Sequence, residues 1–288
     1  MSEPPANPVF VEFVFLRLKC TVVPEEPKTN LGGQQFLGLM GEITQQHGYL
    51  RSAWGRSMEN PARVVIMVEW TDESCAIPLS RLHPFVDDHD HEDIEDDESR
   101  VIIVYATMTP APLTSGAVGK SPVVEITALA TPSAIGVDLH RANEQTQRWQ
   151  RHLMEFRQTL LHELPEGKDD EKEKGGPCGG GNGEENLRAL AVCVGRIERP
   201  SSFGYTPDVV AMSGGGTGTT DGPPTNGETY ADTYLLIVGW RSKEHHLQAK
   251  ETPQYKRIIE PLRQHMMAEP CKGLQSCHVA FTLAERSP

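Results

Sequence analysis

No two of the six cysteines (Cys20, Cys75, Cys178, Cys193, Cys271 and Cys277) form a CxxC pair. Such scatter excludes a zinc ribbon and a disulfide scaffold and suits a reducing compartment, so a cytoplasmic protein is expected. Long apolar runs are missing too. The longest uncharged stretch, residues 101–119, contains two prolines and three threonines, which disqualifies it as a membrane helix. The opening MSEPPANPVF has neither a basic region nor an apolar run before Phe10, so no signal peptide is expected. A basic stripe, which nucleic-acid binding requires, is absent.

What is abundant is acid. The 288 residues carry a net charge of -13. Residues 87–99 (DDHDHEDIEDDES) hold nine acids and no Lys or Arg, and residues 166–186 hold seven acids and three lysines. Without these two segments the charge is zero, so the acidity belongs to surface loops and the folded remainder is neutral. Glycine and proline, 26 and 22 residues, also cluster, notably in 166–186 and in 201–231 with its SGGGTGTTDGPPTNG. Both segments read as inserts between elements.

The chain repeats itself. Gly55-Arg56-Ser57-Met58-Glu59-Asn60-Pro61 leads into residues 64–70 (VVIMVEW) and then Thr71-Asp72-Glu73. Gly195-Arg196-Ile197-Glu198-Arg199-Pro200 is followed by residues 234–240 (YLLIVGW) and then Arg241-Ser242-Lys243-Glu244. The shared pattern is Gly-Arg, a Glu and a Pro, then an apolar strand ending in Trp, then a polar helix start.

The flanks repeat in the same order. In the first half, residues 9–19, 49–56, 64–70 and 100–107 read as strands. A helix between the first two carries Phe36, Met40, Ile43 and His47 on one stripe, and a short helix over 72–86 is broken by Pro78 and Pro84. In the second half the strands are 123–130, 187–197, 234–240 and 274–283. Asp138 can cap a helix with the stripe Leu139, Ala142, Thr146, Trp149, Leu153, Phe156, Leu160 and Leu164, stopped by Pro165 and Gly167. The helical stretch after Trp240 carries Leu247, Tyr255, Ile258, Leu262 and Met266, with Thr252 and Pro253 starting its second piece.

Two β-α-β-β-α-β units predict an α+β fold of two ferredoxin-like halves, 1–110 and 123–288, joined by a linker at 111–122. Each half leaves one sheet face apolar, and packing sheet on sheet closes a barrel within one chain. This pattern resembles the dimeric α/β-barrel superfamily and, within it, the antibiotic-biosynthesis-monooxygenase-like (ABM) domain. The resemblance rests on the passages at Trp70 and Trp240 and on the element order. The fused tandem form is similar to fungal members. It implies a pseudo-dimeric barrel that needs no second chain, hence a monomer. It also implies a small, flat aromatic or polyketide-like ligand and chemistry without a tightly bound cofactor: monooxygenation, isomerisation or cyclisation. Haem degradation within the superfamily implies an Asn on the first strand, and VFVEFVFLRLK has none.

Candidate site residues follow. Trp70 and Trp240 end strands that border the pockets, where an indole can stack on a flat ligand or plug the helix–sheet seam. Arg56, on a strand face with Trp54, can hold an oxyanion or pair with its neighbour Glu59, as Arg196 with Glu198. His83, on the helix after Trp70, is the candidate base. His47, Tyr105 and His245 complete the candidate lining. The first half, with its compact loops and fuller residue set, is favoured as the active one. Gly116-Ala117-Val118-Gly119-Lys120-Ser121 lacks the earlier Gly of a phosphate loop, since Thr114 stands there, and sits between two strands. The competing reading is a non-catalytic ligand-binding or stress-response barrel; a third uses 87–99 as a docking tail for a basic partner.

Overall fold

In a computed structural model, residues 9–87, 100–132, 139–165, 186–200, 231–266, 274 and 276–284 are described. Their β-rich segments form eight strands, β1 (Val9–Arg17), β2 (Tyr49–Ser57), β3 (Arg63–Trp70), β4 (Val101–Thr109), β5 (Val123–Pro132), β6 (Ala191–Pro200), β7 (Ala231–Trp240) and β8 (Cys277–Ala284). The helices are α1 (Leu31–Ile43), α2 (Leu79–Leu82), α3 (Leu139–His162), α4 (Lys243–Glu251) and α5 (Pro253–Arg263), with a 3₁₀ turn at His83–Phe85. The strands close into one antiparallel barrel in the order β1-β3-β2-β8-β5-β7-β6-β4. The fold is therefore α+β, an eight-stranded barrel with helices outside.

Alternation along the strands separates two kinds of core. Inward rows such as Val11, Phe13 and Phe15 on β1 and Val124, Ile126 and Ala128 on β5 fill the barrel, so its interior is packed. Outward rows meet the helices. Val14, Leu16, Ile66 and Trp70 pack under Phe36, Met40 and Ile43 of α1. Leu129, Leu236 and Trp240 pack under α3, α4 and α5. Leu113, Ala117 and Val118, from the stretch expected to be a plain linker, also belong to the barrel core. Glu69 anchors that stretch, accepting hydrogen bonds from the Leu113 N–H at 2.7 Å and the Thr114 hydroxyl at 2.6 Å.

The repeated Gly-Arg dipeptides lie at the two seams where β2 meets β8 and β4 meets β6. A Cβ on Gly55 would stand 2.4 Å from the Ala280 carbonyl oxygen, and one on Gly195 would stand 2.5 Å from Met108 Cγ. Only glycine lets the strands approach this closely.

Several expectations shift. α1, capped by Asn30, ends at Ile43, so His47 lies past the helix in an exposed turn. Thr146 is exposed on α3. Thr252 caps α5 as expected, accepting from the Tyr255 N–H at 3.2 Å. The stretch after Trp240 is two helices with different phases, and His246 and Ala249 are buried on α4 while Leu247 is 48% exposed. Asp138 and nearly all of the two inserts and the acidic run lie outside the described residues. Among the described residues no helix is long and apolar enough to cross a membrane.

Candidate functional site

Each group of strands carries a carboxylate inside an otherwise apolar strand, opposite its Trp. Glu12 on β1 is fully buried. It accepts hydrogen bonds from the Trp70 indole N–H at 2.9 Å, the Ile77 backbone N–H at 3.0 Å and the Tyr105 hydroxyl at 3.3 Å. Three donors from three elements saturate it, which makes this cluster a fastening of β1, β3, β4 and the loop before α2.

Glu125 occupies the same position on β5. The Trp240 indole N–H reaches it at 3.2 Å and the Thr127 hydroxyl at 3.1 Å. In register, Glu12 faces Tyr105 and Glu125 faces His278. Where the Ile77 amide fills the first cluster, α4 inserts His246, stacked on Trp240 with ring centroids 4.8 Å apart. His246 Nε2 lies 3.4 Å from Glu125 Oε2, off the hydrogen-bond axis. His246 Nδ1 and His278 Nε2 are 2.7 Å apart, and His278 Nδ1 is 2.7 Å from Glu59 Oε1. Lys243 Nζ lies 2.7 Å from the same oxygen, and the His278 backbone N–H donates to Glu59 Oε2 at 2.8 Å.

The result is a continuous polar chain, Glu125–His246–His278–Glu59–Lys243, running from a buried carboxyl to the surface. His246 and His278 are buried, whereas the Glu59 and Lys243 side chains are 35% and 32% exposed. Partial burial pushes Glu59 upward, but the Lys243 ammonium and the His278 donors outweigh it and hold its carboxyl at about 2. Burial, then the neighbouring His278 and the charge of Lys250, push His246 down to about 3, against the pull of Glu59. Burial raises Glu125 above the usual carboxylate range, against the Trp240 N–H and His278. Glu59 is therefore an anion at neutral pH and His246 a neutral imidazole.

The outward row of β8 links this chain to a second feature. His278, Ala280 and Thr282 alternate along β8, with Ala280 opposite Arg56 and Thr282 opposite Trp54 on β2. Beyond them opens a crevice of about 560 Å³, walled by Trp54, Leu37, Met40, Pro24, Pro27 and Leu283. Arg56 stands between crevice and chain. Its partner is Glu25, in two parallel bonds of 2.8 and 3.0 Å, and it also donates to the Pro61 carbonyl. The expected Arg56–Glu59 pair does not form, because Glu59 turns past the end of β2 towards His278 and α4.

Of the expected residues, the structure places Trp54 in the crevice wall, Arg56 next to it through Glu25, and Trp240 on the polar chain. It does not bring His83 there: Pro84 draws it into an exposed 3₁₀ turn. Trp70 and Tyr105 are buried with their donors committed to Glu12. His245 sits half-buried at the start of α4, its backbone N–H capped by Ser242 at 3.2 Å. The richer set of titratable groups is thus in the second group of strands, not the first. Sequence reasoning missed Glu12 and Glu125 and did not join His246 to His278, although both histidines stood among the residues it weighed in the second half. A detectable signal was an acid inside an apolar strand in both repeats, Val11-Glu12-Phe13 and Val124-Glu125-Ile126. Cys193 and Cys277 are pushed by burial to about 11 and about 12, which makes them inert as nucleophiles. Among the described residues no three His, Cys, Asp or Glu side chains are grouped to hold a metal.

Several solved structures align with most of this chain at low identity. An anthrone oxidase-like protein is 11% identical, with 98% of this chain and 95% of that one covered and a TM-score of 0.47. A candidate monooxygenase from Lactobacillus acidophilus is 10% identical, with 97% of each chain covered and a TM-score of 0.42. A chlorite dismutase from Candidatus Nitrospira defluvii is 9% identical, with 95% and 91% covered and a TM-score of 0.39. At these values the similarity carries no argument about activity. No protein-family model and no curated protein matches the sequence.

Proposed function

We propose that the protein is an enzyme that moves a proton on a small, flat aromatic or polyketide-type metabolite, without a tightly bound cofactor. The observation that carries this reading is the chain from Glu59 through His278 and His246 to Glu125. Acid–base catalysis needs a titratable group whose proton has somewhere to go, and this chain supplies one with a surface terminus. The ligand lies along the β2·β8 seam, with a ring against Trp54. Lys243 and Arg56 hold the oxyanion that forms, Arg56 after releasing Glu25. Glu59 and His278 exchange the proton. Oxygenation, isomerisation and cyclisation share that step.

The same reading takes the strand orders β4-β1-β3-β2 and β8-β5-β7-β6 as two ferredoxin-like halves fused into a pseudo-dimer. That arrangement supports the resemblance to the ABM-like dimeric α/β barrels and a monomer, and the cytoplasmic location rests on the scattered cysteines. A second reading, a non-catalytic ligand-binding barrel, is favoured by the exposed His83 and by Arg56 being saturated by Glu25.

The test is a thermal-shift screen of anthrones, quinols and polyphenols, followed by proton exchange of the hit in heavy water. The expected result is a stabilising ligand whose shift is lost in Trp54→Ala, and whose deuterium uptake is lost in Glu59→Gln while binding survives. Deuterium uptake unchanged in Glu59→Gln would leave the binding protein. No shift with any compound would overturn the ligand class.

A further inference from the structure

We infer that Glu125 carries a proton at rest, and that the His246–His278 pair forms a wire directed outward, able to deliver that proton to Glu59 at the surface. The inference deepens the acid–base reading above and rests on it for its purpose, but its test needs no substrate.

The argument is an accounting of donors and acceptors, starting from the outer end. The Glu59 carboxylate only accepts. It receives the Lys243 ammonium and the His278 backbone N–H, and its 2.7 Å contact with His278 Nδ1 therefore requires a proton on Nδ1. The inference includes a neutral His278, in which Nε2 is then a lone pair. The 2.7 Å contact with His246 Nδ1 therefore requires the proton on His246. His246 Nε2 is left as a lone pair facing Glu125 Oε2 at 3.4 Å. Two lone pairs facing each other in a buried site repel unless a proton lies between them, and the only group able to carry it is the Glu125 carboxyl.

All the links point the same way: Glu125 O–H to His246, His246 to His278, His278 to Glu59. Shifting each proton one link outward releases one proton at Glu59 and reverses the wire. The Glu125 O–H bond and the two Nδ1–H bonds break. New N–H bonds form at His246 Nε2 and His278 Nε2, and an O–H forms on Glu59. No charge is created in the wire beyond the exchange of Glu59 anion for Glu125 anion. The link between Glu125 and His246 is the stretched one, and rotation of the carboxyl onto the Nε2 axis completes it. The groups around Glu125 are Thr127 on β5, Trp240 on β7, His246 and Lys250 on α4, Tyr255 on α5, and Cys277 and His278 on β8, and His246 also meets the charges of Lys243 and Glu59. The two lysines disfavour a second proton on His246. The first cluster has no such path, because the amide of Ile77 stands where His246 stands.

The test is spectroscopic and uses the whole chain. Infrared spectra at neutral pH should show the carbonyl stretch of a protonated carboxylic acid, shifted in heavy water and lost in Glu125→Gln. In wild-type protein, nitrogen-15 shifts should place the protons of His246 and His278 on Nδ1. That second measurement stands even if the variant does not fold. His246 protonated on Nε2, or either ring doubly protonated at neutral pH, would overturn the resting state, whether or not a substrate is ever found. An acid band that persists unchanged in folded Glu125→Gln would equally overturn it.

Discussion

The surroundings of Trp70 and Trp240 start from the same parts and end in different chemistry. Both indoles donate to a carboxylate on the first strand of their repeat, Glu12 or Glu125. Around Glu12 the other donors include the Ile77 amide, which does not titrate, and the Tyr105 hydroxyl, of a type that ordinarily titrates far above neutrality. Around Glu125 those two places hold imidazoles, His246 and His278. One carboxylate is fastened; the other is the inner end of a path that reaches the surface through Glu59. The difference teaches that a duplicated polar core position is a structural fixture by default. It becomes a candidate for chemistry where titratable side chains replace its fixed donors.

Mutation can break that contrast. The largest effect is expected from Glu12→Ala, which strands three buried donors and should cost about 3–5 kcal/mol in chemical denaturation. Glu125→Ala strands the Trp240 N–H and a Thr127 hydroxyl that also meets Ser276, and should cost about 1–2 kcal/mol. Equal costs would contradict the assignment of one cluster as fastening and the other as relay.

Acid sharpens it next. The folded His246 lies at about 3 and an unfolded histidine near 6.5, so below 6.5 the unfolded chain takes up the proton first. Stability is therefore lost as the pH falls from 6.5 towards 3, by up to about 1.4 kcal/mol per pH unit. His246→Gln should flatten that slope in pH-dependent denaturation.

A last pair of substitutions probes where the two repeats stay alike. Gly55→Ala and Gly195→Ala should each cost about 1–3 kcal/mol, because each Cβ meets the strand across its seam. A thermal melt that shifts for one and not the other would show that the seams, unlike the clusters, differ in tightness.

Periodicity alone determined the element order, the two apolar faces of each strand and the duplicated Trp passage, because these depend on spacing along the chain. It also placed Trp54 and Arg56 on one face, since alternation holds within a strand. The partners of those residues were decided only by closure of the barrel. Arg56 meets Glu25, 31 residues away, and Glu59 meets His278, 219 residues away. The burial of His246 rather than Leu247 depends on where Pro253 restarts the helix and so on the phase of α4 against β7. The exposure of His83 depends on Pro84 turning the chain outward. Sequence spacing sets which side chains share a face; which titratable groups share a proton is set by the register between distant strands, and that exists only once the barrel has closed.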